Sequence, residues 1–198
     1  MKKRTTRIAV AGVAAVVASL ALASVGSASI QVKPSNYDPD KLGTTVSKWA
    51  SHAGVPDARG AEQGLKLSKG GALTDNAAAG AVVTDVRGRT LSNLGYTYQG
   101  YCGAGAPRFN VELTNGDFFF VGCNSGTAIP SYTGWTHVDF NDASFAPAGA
   151  YTWPGLGNAE IQSISIIQDE VGAVTLDNIR INGRSVHGPQ AKHHKSHR

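Results

Sequence analysis

The chain has few charged residues. Only 16% of its 198 residues are Asp, Glu, Lys or Arg, against about a quarter in ordinary globular proteins. So little charge does not suit a coiled coil, a set of long surface helices or a segment kept disordered by charge repulsion. Glycine is abundant, with 24 residues against 8 prolines. The composition is typical of a polar, turn-rich globular domain.

The sequence also lacks the common catalytic motifs. It has no Gly-x-Ser-x-Gly elbow, no His-Glu-x-x-His motif, no phosphate-binding glycine loop and no Cys-x-x-Cys pair. Glycoside hydrolysis needs only two carboxylates that face one cleft, and Glu112 and Asp139 are the best pair. His137 and Asp139, on the same side of one predicted strand, resemble a general base and the carboxylate that orients it. Because no nucleophile lies nearby, we expect no enzyme and keep a small glycoside hydrolase as an alternative.

Residues 1–28 have the pattern of a secretory signal peptide. Four basic residues precede an apolar run from Ile8 to Ala23, and small residues follow it. No later segment is long and apolar enough to span a bilayer. Without these 28 residues the chain has 14 basic and 14 acidic residues, and residues 29–183 have a net charge of −4. We therefore expect a secreted, extracellular protein that does not bind nucleic acid, since that requires a folded basic face.

The remaining chain divides into three parts. Residues 29–43 hold two prolines and little periodicity, which favours a loose lead-in. Residues 44–184 form one domain, predicted to be a monomer, because no linker interrupts them. Residues 185–198 have no apolar periodicity and end in alternating His, Lys and Arg, which is typical of a disordered tail. The tail's imidazoles and cations favour transition metals or anionic wall polymers.

Short runs with alternating apolar and polar residues predict strands. The clearest is Arg108–Thr114, where Phe109, Val111 and Leu113 share one face; it is followed by Asn115-Gly116, which favours a type I′ hairpin turn. The other predicted strands are 45–51, 64–68, 81–86, 94–101, 118–123, 135–140, 161–167 and 174–182. Residues 44–53 also fit helical spacing. About eight or nine short strands predict an all-β, jelly-roll-like antiparallel sandwich.

The two cysteines of an exported chain favour one disulfide. Residues 94–101, 108–114 and 118–123 are expected to form a meander, in which Cys102 ends the first strand and Cys123 the third at the same end of the sheet. A bridge closing a loop of about 20 residues stabilises a protein by about 3 kcal/mol. A free nucleophilic cysteine is the alternative.

Sugar recognition needs flat apolar rings beside hydrogen-bonding groups, and the predicted strands offer both. The expected stacking residues are Tyr96, Tyr98 and Trp135. The expected hydrogen-bonding residues are Arg108, Asn110, Glu112 and Asp139. The alternative is that the aromatics belong to the core and that the polar row is solvated or paired across strands. Tyr132, Tyr151 and Trp153 are candidates for exposed loop aromatics.

Asp177 and Asn178 interrupt an otherwise apolar strand. A buried carboxylate costs free energy unless it is paired or coordinated, so a structural calcium ion would account for the pair. Asp169-Glu170 and Asp75-Asn76 are further oxygen donors if the fold brings them close. The alternative is that Asp177 accepts backbone hydrogen bonds at a kink in the strand.

Four segments carry a resemblance to known proteins. LSNLGYTYQGYCGAGAPRFNVEL, DFFFVGC, GWTHVDF and VTLDNIRING, in this order, resemble a group of small secreted bacterial β-sandwich proteins that are largely uncharacterised. The last segment also resembles the closing strand of jelly-roll carbohydrate-binding modules, where such an Asp often helps to hold a structural calcium. The resemblance implies a sandwich and a non-catalytic domain that binds an extracellular polysaccharide or a cell-wall polymer. A structural or interaction protein of the cell envelope, acting through a sheet edge or the basic tail, is the alternative.

Overall fold

The computed structural model describes residues 29–56, 63–145, 151–186 and 188. The predicted signal peptide and nearly all of the predicted tail lie outside these ranges. Within them the chain is all-β, with twelve strands and one short 3₁₀ helix at Asp142–Phe145. None of the helical structure in this part of the chain has the length and apolarity to cross a membrane.

The strands form two antiparallel sheets. In chain order they are β1 (Gln31–Tyr37), β2 (Thr45–Ala50), β3 (Gly64–Lys69), β4 (Ala78–Thr84), β5 (Leu94–Gly100), β6 (Arg108–Leu113), β7 (Phe118–Gly122), β8 (Thr127–Pro130), β9 (Thr136–Phe140), β10 (Ile161–Gln168), β11 (Gly172–Ile181) and β12 (Arg184–Val186). The five-stranded sheet has the order β1-β4-β10-β6-β7. The seven-stranded sheet has the order β2-β3-β11-β5-β9-β8, and β12 pairs with β11. The predicted antiparallel sandwich is confirmed.

The core lies between the two sheets because each strand places its apolar residues on one side. In β6, Phe109, Val111 and Leu113 are buried, and the residues between them are half-buried on the outer side. The Tyr96 ring from the other sheet packs against Phe109, with ring centres 5.4 Å apart. The period-two pattern that predicted these strands is the same pattern that builds the core.

All nine predicted strands are present, and β1, β8 and β12 are additional. The segment 29–43, expected to be a loose lead-in, contains β1, whose seven residues all pair with β4. Val32 is the one buried residue of β1, and every residue of β8 is exposed. Both strands lie at the edge of a sheet. They are held mainly by backbone hydrogen bonds to the neighbouring strand, because neither has an apolar side that packs into the core. Residues 45–50 form strand β2 and not the alternative helix.

The turn after β6 differs from the predicted type I′ form. Gly116 has a positive φ of 91°, whereas Asn115 does not have a positive φ. The Gly116 amide donates to Leu113 O at 2.9 Å, and the Leu113 amide donates to Asp117 O at 2.9 Å. One glycine in the left-handed region therefore suffices for this longer hairpin loop.

The disulfide joins Cys102 and Cys123, whose Cα atoms are 6.0 Å apart. The pairing is as predicted, but the expected meander is wrong. β5 belongs to the seven-stranded sheet, whereas β6 and β7 belong to the five-stranded sheet. The chain crosses between the sheets after β5, so the disulfide links one sheet to the other.

Candidate functional site

The residues predicted to bind a ligand do not lie on one surface. Arg108, Asn110 and Glu112 are on the outer side of the five-stranded sheet, in β6. Asp139 is in β9 of the seven-stranded sheet, and its side chain alternates with the buried Val138 and Phe140. The two outer sides face away from each other, with the core between them. The single groove expected from the sequence is therefore not formed.

The predicted stacking residues are not exposed. Tyr96 has 0% exposure and Trp135 has 6%, while Tyr98 is half-buried against the core. The Tyr96 hydroxyl donates to Pro107 O at 2.8 Å. Burial and the neighbouring Tyr98 raise the pKa of Tyr96 far above its ordinary value. Tyr96 is a core residue that cannot contact a ligand, because its alternation with Thr97 points it inward.

Two exposed aromatic residues that the sequence analysis missed lie on β7. Phe118 is 44% exposed and Phe120 is 61% exposed, while Phe119 between them is buried. β7 pairs with β6 so that Phe118 is opposite Glu112 and Phe120 is opposite Asn110. The signal was in the segment Phe118-Phe119-Phe120-Val121, since the inward position of Phe119 and Val121 requires Phe118 and Phe120 to point outward.

Hydrogen-bonding side chains continue from these rings across the sheet. In β10, Ser163 is paired with Glu112 and Ser165 with Asn110. The Ser163 hydroxyl donates to Glu112 Oε2 at 2.8 Å. Hereafter the phenylalanine surface denotes the two rings together with these four polar residues. It consists of Phe118, Phe120, Asn110, Glu112, Ser163 and Ser165.

Arg108 borders the phenylalanine surface and is already engaged. Its guanidinium donates to both carboxylate oxygens of Asp169, at 2.6 and 2.7 Å, and its Nε donates to Asn110 Oδ1 at 2.9 Å. Its Cζ lies 5.6 Å from the centre of the Phe120 ring. Burial alone would raise the pKa of Asp169, but the hydrogen bonds and charge of Arg108 outweigh it and hold that pKa below its ordinary value. Arg108 thus positions Asn110 and Phe120.

A second polar group lies on the outer side of the seven-stranded sheet. Thr97 Oγ1 is 3.1 Å from His137 Nδ1, and His137 Nε2 is 3.0 Å from Asp139 Oδ1. The arrangement of hydroxyl, imidazole and carboxylate resembles a hydrolase triad, but Thr97 is buried and cannot reach a substrate. Glu112 and Asp139 are on opposite sides of the sandwich. They cannot flank one glycosidic bond, which requires carboxyl groups about 5–9.5 Å apart across a shared cleft.

The buried carboxylate of Asp177 is held by backbone groups. Its Oδ2 accepts from the Val55 amide at 2.7 Å, and its Oδ1 accepts from the Asn178 amide at 2.6 Å. Asn178 has a positive φ of 47°, and the pairing of β11 with β5 shifts register there. These contacts match the alternative of a strand kink. Nowhere in the described ranges do three or more His, Cys, Asp or Glu side chains cluster to hold a metal.

The calcium site at Asp177 and Asn178 stays a prediction. If calcium binds there, the melting temperature rises in millimolar Ca²⁺ relative to excess EDTA. Equal melting temperatures under the two conditions would rule it out.

Of the predicted loop aromatics, two are exposed and one packs inside its loop. Tyr132 and Tyr151 are exposed. Trp153 stacks on Phe145, with ring centres 4.0 Å apart, and its Nε1 donates to Asp142 Oδ1 at 2.9 Å. The same carboxylate accepts from the Leu156 amide at 2.7 Å. These hydrogen bonds lower the pKa of Asp142, that from Leu156 more than that from Trp153. Trp153 therefore anchors its loop.

Neither a family model nor a curated protein sequence matches this chain. Two similar solved structures are family 11 carbohydrate-binding modules from Clostridium thermocellum. One belongs to the cellulosomal cellulase Lic26A-Cel5E, is 15% identical and gives a TM-score of 0.43, with 86% of this chain and 94% of that chain covered. The other, in complex with a β-1,3-1,4-mixed-linked tetrasaccharide, is 16% identical and gives a TM-score of 0.42, with 84% and 94% covered.

Proposed function

We propose that this protein is a secreted, monomeric, non-catalytic sandwich that binds an extracellular polysaccharide or a cell-wall polymer on the phenylalanine surface. The observation that carries the proposal is the pair of exposed rings, Phe118 and Phe120, beside a row of hydrogen-bonding side chains. Large aromatic side chains exposed together on a small domain usually mark a binding site.

The geometry suits a chain of sugar rings. Residues two apart in a strand are about 7 Å apart along it, so the two phenylalanines present neighbouring apolar surfaces on the same side of β7. The apolar faces of sugar rings pack against aromatic rings, while sugar hydroxyls require donors and acceptors at the margin. Asn110, Glu112, Ser163 and Ser165 provide both kinds of group. The Arg108–Asp169 ion pair keeps the adjoining charge neutral.

The test measures retention of the mature protein on insoluble polysaccharides and purified cell wall, and its affinity for soluble polysaccharides by calorimetry. Phe120→Ala and Phe118→Ala are each expected to weaken binding by about ten-fold or more, since each removes a central aromatic contact. Phe120→Tyr keeps the ring and is expected to bind. Tyr132→Ala is the matched control, because Tyr132 is also an exposed aromatic but follows β8 of the other sheet.

Two results would contradict the proposal. One is an equal loss with Tyr132→Ala and Phe120→Ala; the other is an absence of binding to every polysaccharide tested. Retention on cell wall that protease treatment of the wall abolishes, while soluble polysaccharide does not compete, would favour the cell-envelope interaction protein instead.

A further inference from the structure

A cleft opens on the opposite side of the molecule from the phenylalanine surface. It lies where β5, β9, β11 and β12 meet and has a volume of about 360 Å³. We name it the Arg180 cleft. Its lining residues are Asn93, Leu94, Asp139, Phe140, Arg180, Gly183 and Ser185. The volume falls within the range of small-ligand pockets, about 300–1,000 Å³.

The two charged residues of the Arg180 cleft lie on either side of Gly95. In the sheet, Gly95 is paired with Arg180 on one side and with Asp139 on the other. Strands in a sheet are about 4.8 Å apart, so the two charged residues are separated by about 10 Å of backbone. Because Gly95 has no side chain, the Asp139 carboxylate can lie close over the Gly95 backbone, on the side that faces Arg180. A Cβ at Gly95 would lie 2.7 Å from Asp139 Oδ1.

The charges differ in how they are engaged. Asp139 accepts from His137, and its side chain is still 51% exposed. Arg180 is exposed and forms no ion pair with any residue that the structure describes. A guanidinium offers a planar fork of donors that matches a carboxylate in two parallel hydrogen bonds. A half-exposed carboxylate on the far side accepts hydroxyl groups.

We propose that the Arg180 cleft binds a sugar that carries a carboxylate, such as a uronic acid unit. The carboxylate of the sugar pairs with Arg180, and its hydroxyls donate to Asp139. The Asp139 carboxylate only accepts hydrogen bonds, and a sugar offers hydroxyl donors beside its carboxylate, whereas a phosphate dianion offers none. This site is separate from the phenylalanine surface and does not depend on it.

The test uses the mature protein and follows the amide signals of Gly95 and Gly183 by NMR during titration with galacturonate and glucuronate. Neutral galactose and glucose, and inorganic phosphate, are titrated in parallel. Saturable shifts at the two glycines with the uronates, and none with the neutral sugars, are expected. Arg180→Gln is expected to weaken uronate binding by about ten-fold or more. Arg180→Lys keeps the positive charge but lacks the planar fork of donors, so its affinity for the uronates is expected to lie between that of the unmodified protein and that of Arg180→Gln.

Arg87→Gln is the matched control, because Arg87 is an exposed arginine outside the cleft and its loss changes the net charge equally. The proposal is overturned if neutral sugars or phosphate shift the same amides as strongly, if no uronate binds, or if Arg87→Gln weakens binding as much as Arg180→Gln. Phe120→Ala is expected to leave uronate binding unchanged. The two binding proposals can therefore fail independently.

Discussion

At the scale of single residues, exposure decides which aromatic side chains can serve a ligand. Tyr96 and Phe120 are aromatic residues of similar size and both lie in strands, yet one is fully buried and the other is 61% exposed. Successive side chains of a strand point to opposite sides of the sheet, and the side that carries the more apolar residues faces the core. In β5 one side contains Leu94, Tyr96 and Tyr98 and the other Gly95, Thr97 and Gln99, so the apolar side already indicated that Tyr96 points inward. In β7 three phenylalanines follow one another, so only Val121 indicates which of them point inward: Phe119 shares its side of the strand, and Phe118 and Phe120 point outward.

Tyr96→Phe is expected to lower the free energy of unfolding and to leave polysaccharide binding unchanged. The substitution removes the buried hydrogen bond to Pro107 O, and the loss costs about 1 kcal/mol, because Pro107 O keeps its second hydrogen bond from the Cys123 amide. Urea denaturation measures the loss, and calorimetry with the polysaccharide measures the affinity. Weaker binding at an unchanged stability would mean that Tyr96 does contact the ligand.

Asp169→Asn is expected to reduce the acid sensitivity of the fold. The folded-state pKa of Asp169 is lower than its ordinary value of about 3.9, so the carboxylate stabilises the protein above that value. This stabilisation is lost as the pH falls from about 5 through the folded pKa. The melting temperature of the Asn variant should therefore fall less between pH 5 and pH 3. Asp40→Asn is the control, because Asp40 is exposed. Its melting temperature should fall between pH 5 and pH 3 by as much as that of the unmodified protein.

At the scale of elements, the strands with an alternating pattern could be predicted and the edge strands could not. β6 and β10 are central strands whose inner residues fill the core, and each was found within one residue of its bounds. β1 and β8 gain their stability from backbone hydrogen bonds to a neighbour, and this leaves no trace in their side chains. Pro34 in β1 and Pro130 in β8 even argue locally against a strand, although prolines are tolerated at sheet edges.

Gly95→Ala is expected to destabilise the protein by about 1–3 kcal/mol, the usual cost of overpacking. The added methyl group would lie 2.9 Å from Val138 O and 2.7 Å from Asp139 Oδ1, so β5 and β9 must shift apart. Gly70→Ala is the control, since its nearest neighbour would be Thr44 O at an ordinary 3.6 Å. Urea denaturation of both variants checks the difference. Equal stability of the two would show that β9 accommodates a side chain at residue 95.

At the scale of the whole molecule, the assignment of strands to sheets determines which residues can cooperate. Residues 94–140 alternate between sheets: β5 lies in one sheet, β6 and β7 in the other, and β8 and β9 return to the first. Hydrophobic alternation tells which side of a strand is buried but not which sheet the strand joins. The predicted ligand set therefore mixed two opposite surfaces, although the outward direction of Asn110 and Asp139 was predicted correctly.

The disulfide is a covalent cross-link between the two sheets, and its removal tests how much it contributes to the stability of the sandwich. Cys102→Ala with Cys123→Ala is expected to lower the free energy of unfolding by about 3 kcal/mol, because the bridge closes a loop of 21 residues and restricts the unfolded chain. Urea denaturation with and without reductant checks this. Reductant should shift the urea midpoint of the unmodified protein to that of the double variant and should leave the double variant unchanged.

Because the phenylalanine surface lies within the five-stranded sheet, the folded double variant should still bind polysaccharide. Loss of binding would mean that the link between the sheets also shapes the ligand site.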